Sequence, residues 1–83
     1  MKILVDKKVH SELKNIKKTN QKLSNQIEKQ LELFTINPQH PSLRIHKLSG
    51  SMENMWSISI TMSIRMVYLL KDKNTALFIK CIS

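Results

Sequence analysis

The stretch WSISITMSIRMVYLL, Trp56 to Leu70, decides the fold. Trp56, Ile58 and Ile60 alternate with Ser57, Ser59 and Thr61, the period of a strand with one apolar and one polar face. From Ile64 to Leu70 both faces are apolar except at Arg65, the pattern of a central strand. Downstream, KDKN (Lys71–Asn74) turns the chain into a last strand over 75–82, and upstream SGSMEN (Ser49–Asn54) reads as a loop preceded by a strand over 44–48.

The N-terminal half has a different period. After a short strand over 2–5, Asp6 is placed to cap a helix in which Val9, Leu13 and Ile16 share one face and Lys7, Lys14 and Lys18 the other. KKTNQK interrupts this pattern, and Thr19 or Asn20 can cap a second helix with the stripe Leu23, Ile27, Leu31 and Phe34. Both prolines fall in INPQHPS, so helix ends near Ile36. This order predicts a single α+β domain over 1–83, an N-terminal helical hairpin packed on one face of a three- to five-stranded antiparallel sheet.

With 83 residues, the chain has room for one small core. Fourteen Lys and Arg against six Asp and Glu give +8, spread evenly: eight basic and four acidic residues up to Phe34, six and two beyond it. Such a charge predicts attraction to a polyanion, whether nucleic acid, ribosome or an acidic protein. The sole cysteine, Cys81, excludes an internal disulfide, and paired Cys and His at metal-binding spacings are absent. No Gly-rich phosphate loop or serine nucleophile elbow is present, so neither a metal nor another cofactor is expected. MKILVDKK has three consecutive apolar residues before charge returns, too few for a signal peptide or membrane span, and the expectation is a cytoplasmic protein without a membrane partner.

Among residues able to do chemistry, Arg65 is the most informative. A guanidinium inside an apolar strand costs free energy unless it meets an anion or reaches solvent. The anion can be a substrate phosphate or a structural partner such as Glu53. His46 and Lys47 precede the only glycine, with Arg44 two residues earlier on the same face of the expected strand. In RNA cleavage by the neighbouring 2′-hydroxyl, a base takes that proton, an acid protonates the departing 5′-oxygen, and cations stabilise the crowded phosphate. His46 suits either proton transfer and Arg65 the electrostatic role, although a lone histidine is more often a surface or capping residue. Tyr68 can stack on a base or serve the core, and Trp56 reads as core.

Together HKLSG, WSISIT and IRMVY resemble the central signature of the RelE/ParE superfamily of toxins from type II toxin–antitoxin systems, in particular its RelE/YoeB-like messenger-RNA interferases. The match runs through His46, Leu48, Ser49, Gly50, Trp56, Ser57, Ile60, Thr61, Arg65, Val67 and Tyr68. The resemblance implies a toxin that enters the ribosome and cuts mRNA without a metal, restrained by an acidic antitoxin. It makes Arg65 and His46 the expected catalytic residues, and Arg44, Lys47, Lys80 and Tyr68 the expected RNA contacts. Two departures stand out. Ser42 occupies the region where YoeB-like members carry a glutamate base, and no HDEVY-like tail follows the last strand. These favour an alternative reading, a ParE-type gyrase inhibitor or a decayed toxin that only binds its antitoxin.

Overall fold

The computed structural model describes residues 1–48 and 54–82. Strand β1 (Lys2–Val5) leads into helices α1 (Lys7–Thr19) and α2 (Gln21–Ile36), then a 3₁₀ turn (Pro41–Leu43) and strands β2 (His46–Lys47), β3 (Met55–Ser59), β4 (Arg65–Asp72) and β5 (Thr75–Ile82). The expected caps form. The Asp6 carboxylate accepts from the Val9 N–H at 2.8 Å and the Asn20 side chain from the Leu23 N–H at 3.1 Å, so each helix starts on a satisfied donor. Ile36 closes α2 immediately before the Asn37-Pro38 pair. No helix among the described residues is long and apolar enough to cross a membrane.

The five strands form one sheet in the order β1-β5-β4-β3-β2. From β2 to β5 the pairing is antiparallel, as expected, but β1 runs parallel to β5, with Lys2 opposite Thr75 and Val5 opposite Phe78. The sheet is therefore mixed, which corrects the purely antiparallel expectation. The physical reason is that β1 runs directly into α1 and has no hairpin partner. It takes the free edge of β5 after a long crossover, the connection that parallel pairing requires. In that register Ile3 and Val5 lie opposite Ala76 and Phe78, which extends the apolar face under the helices.

The core lies between the helical hairpin and that face. Val9, Ile27 and Phe34 from the helices meet Ile58, Met66, Tyr68, Ala76 and Phe78 from the sheet and Ile60 just past β3, together with Leu43 of the 3₁₀ turn. Phe34, Tyr68 and Phe78 form an aromatic triangle with ring centroids 5.0, 5.2 and 5.7 Å apart, in tilted and edge-on arrangements that favour aromatic contact. The Met1 ammonium donates to the Thr35 carbonyl at 3.0 Å, tying the start of β1 to the last turn of α2. With the helices confined to one side, the other side of the sheet is left for residues of the opposite strand parity.

Candidate active site on the helix-free face

Strand parity puts Met66, Tyr68 and Leu70 under the helices and Arg65, Val67 and Leu69 on the opposite face. The register extends this into a row. His46 of β2 lies opposite Ser57 of β3, Ser57 opposite Val67 of β4, and Val67 opposite Lys80 of β5. At the usual strand spacing, the row carries His46 and Lys80 about 14 Å apart at its two ends. Both are exposed, whereas Ser57 and Val67 between them are only 2% and 4% exposed.

Arg65 enters this row from one side. It pairs with Ser59, and its half-buried side chain reaches back to the neighbouring serine of β3. Its Nε–H donates to the Ser57 Oγ at 2.9 Å, and its Nη2 donates to the Arg44 carbonyl at 2.6 Å and, at 3.4 Å, to the Ser57 carbonyl. Among the described residues no carboxylate accepts from it, and Glu53, the partner considered from sequence, lies outside them. A guanidinium held by neutral acceptors keeps its full positive charge available to an anion.

Arg44 takes part through its backbone. It closes the 3₁₀ turn at φ 44°, ψ 53°, a left-handed conformation that costs a residue with a Cβ on the order of 1–2 kcal/mol. The expected strand over 44–48 thus shrinks to His46–Lys47, and Arg44 does not share a strand face with His46. What the left-handed turn supplies is a carbonyl directed at Arg65. The turn itself is fixed by His40, whose Nδ1 accepts from the Ser42 N–H at 3.1 Å.

The remaining candidates lie elsewhere. Lys47 pairs with Trp56, and its Nζ stands 5.6 Å from the centre of the indole ring, a cation–π contact at the sheet edge. Tyr68 is 3% exposed in the aromatic triangle, and burial pushes its phenol up to about 12. The structure therefore gives it the core role. Arg44 and Tyr68 both line a cavity of about 640 Å³ on the helix side. Of the six residues singled out by sequence, His46, Arg65 and Lys80 share the helix-free face. Sequence reasoning missed Ser57, one of several polar residues alternating along β3, because nothing in its local pattern marks it as the acceptor for a distant arginine. Among the described residues no group of His, Cys, Asp and Glu side chains is placed to hold a metal ion. Ser49 and Gly50 of the signature lie outside the described residues.

No family model and no curated protein matches the sequence. Solved structures do. The fold is that of small toxins of the YoeB, ParE and YafQ kind. It is similar to a YoeB/ParE toxin from Agrobacterium tumefaciens, with a TM-score of 0.80, 20% identity, and coverage of 99% of this chain and 97% of that one. A chain of the YoeB–YefM complex from Staphylococcus aureus gives a TM-score of 0.80 at 20% identity, covering 100% of this chain and 95% of the other. The Escherichia coli DinJ–YafQ complex gives 0.77 at 17% identity over 98% of this chain and 90% of the matched one.

Proposed function

We propose that this chain is the toxin of a type II toxin–antitoxin pair, a metal-independent endoribonuclease that cuts mRNA on the ribosome and is restrained by an acidic antitoxin. The carrying observation is that Ser57 pairs in register with His46 and accepts from Arg65, a guanidinium that meets no described carboxylate, with Lys80 at the far end of the same row. An RNA strand laid along the helix-free face would meet Lys80 through its backbone, with the scissile phosphate at Arg65. In the reaction the 2′-oxygen bonds to phosphorus as its proton leaves to a base, and the bond to the 5′-oxygen breaks as that oxygen gains a proton. His46 is the group on this face able to carry one of those protons. Arg65 stabilises the negative charge that builds on the phosphate.

The fold likeness supports this reading, as do the +8 charge and the sequence signature. Cleavage on ribosomes programmed with a defined mRNA tests it. The chain should cut, Arg65→Ala should abolish cutting while leaving the fold intact by circular dichroism, and an extension after Ser83 by an HDEVY segment should raise the rate by supplying a second proton-transfer group. Absence of cleavage with and without the extension would refute the enzymatic reading.

A second reading is favoured by the distribution of acids. All described carboxylates lie at the ends of strands or on the helices, as Asp6, Glu12, Glu28, Glu32 and Asp72, and none stands beside Arg65 as a base. A non-catalytic toxin of the ParE type, acting on gyrase or only binding its antitoxin, would fit that absence. Inhibition of DNA supercoiling by the chain, together with silence on ribosomes, would select it.

A further inference from the structure

We infer that Ser57 and the Arg44 carbonyl are positioning groups that fix the Arg65 guanidinium in one orientation on the sheet. For its consequence in RNA cleavage, this rests on the function proposed above. Three observations carry it. First, the Ser57 hydroxyl belongs to a residue only 2% exposed, and it accepts the one N–H of Arg65 that sits within the side-chain stem, the Nε, at 2.9 Å. A buried hydroxyl requires a partner, and here the partner is the cation. Second, Nη2 donates at 2.6 Å to the carbonyl of Arg44, a residue held in a left-handed conformation. Third, every acceptor found for the guanidinium is on Nε or Nη2, the Ser57 carbonyl adding a longer contact to Nη2 at 3.4 Å, and no described residue accepts from either N–H of Nη1. The planar fork is thus held through Nε and Nη2, and among the described residues Nη1 is without an acceptor and available to an anion.

Attachment at both Nε and Nη2 constrains the plane as well as the position of the guanidinium, and donors fixed in advance need no reorganisation when charge develops on a bound phosphate. A lysine at position 65 would carry the charge but has no Nε–H and Nη2 pair for the two acceptors to hold.

The chain has two arginines, so the clamp can be read directly. In proton–nitrogen NMR spectra near neutral pH, the Arg65 Nε–H should give a signal protected from solvent exchange, assigned by its disappearance in Arg65→Lys. Ser57→Ala and the similarly sized Ser57→Cys should each speed its exchange at least tenfold, and Ser57→Thr, which keeps the hydroxyl, should preserve it. In single-turnover cleavage on programmed ribosomes, Ala and Cys should lower the maximal rate by roughly 10- to 100-fold, the scale expected of a misplaced catalytic group, with the half-saturating ribosome concentration unchanged. Thr should restore the rate. An Nε–H signal equally protected in Ser57→Ala and Ser57→Cys would overturn the inference, and so would undiminished cleavage by both. If the parent chain does not cleave, the proposed function fails, while the exchange measurement still decides the clamp.

Discussion

Arg65 is held with its charge unneutralised by described residues, and its value to an anion follows from that. Had it met a carboxylate, the pair would have been close to neutral and a phosphate would have gained little by approaching. Replacing it with lysine keeps the charge but loses the fixed fork, so Arg65→Lys should fall to the level of Arg65→Ala in ribosomal mRNA cleavage. Tyr68 shows the opposite use of burial. As the only tyrosine, it can be followed by ultraviolet absorbance, and its phenol should titrate near 12 rather than 10. Because the folded pKa is the higher one, the associated stability is fully present below about pH 10. It is then lost as pH rises to about 12, where the change should amount to about 2–3 kcal/mol. Urea unfolding across that range checks this, and Tyr68→Phe should remove the pH-dependent part.

At the scale of elements, the helical hairpin was legible because its signals are local. Asn20 both ends α1, its N–H donating to the Ile16 carbonyl at 2.7 Å, and starts α2 by capping Leu23. One residue therefore sets the break between two helices. Asn20→Ala should cost about 1 kcal/mol in urea unfolding, the usual value of a lost N-cap, without altering the site. The strands divide by how local their pairing is. β4 and β5 are joined by a short turn, and both were read close to their observed bounds from alternation and the intervening KDKN. β1 was recognised as a strand, but its partner was not, since no short-range pattern encodes a parallel neighbour some seventy residues away. The start of β2 was misjudged for a related reason: Arg44 lies in the left-handed region without being glycine, so nothing in its residue type announced the turn.

For the whole molecule, the charge of +8 has a directional counterpart in the sheet. The helix-free face carries His46, Arg65 and Lys80, and the described acids lie elsewhere. If about four cationic groups engage RNA phosphates, binding to a single-stranded RNA should fall with salt at a log–log slope of about −3. Lys80→Ala should reduce that slope by nearly one phosphate contact. An acidic antitoxin segment should bind with comparable salt sensitivity, and fluorescence anisotropy at several ionic strengths measures both.

The sequence by itself determined the order of the elements, the helix caps, the apolar faces and the basic charge, and marked Arg65 as a cation inside an apolar strand, because propensity, periodicity and the cost of burying a cation act over a few residues. The tertiary structure alone decided the parallel partner of β1, the core role of Tyr68, the displacement of Lys47 onto Trp56 and the acceptors from Ser57 and Arg44 that grip Arg65. Each of these depends on which strands become neighbours and in what register. That is settled by packing the hairpin onto one face of the sheet, an energy summed over the whole chain and written in no single stretch of it.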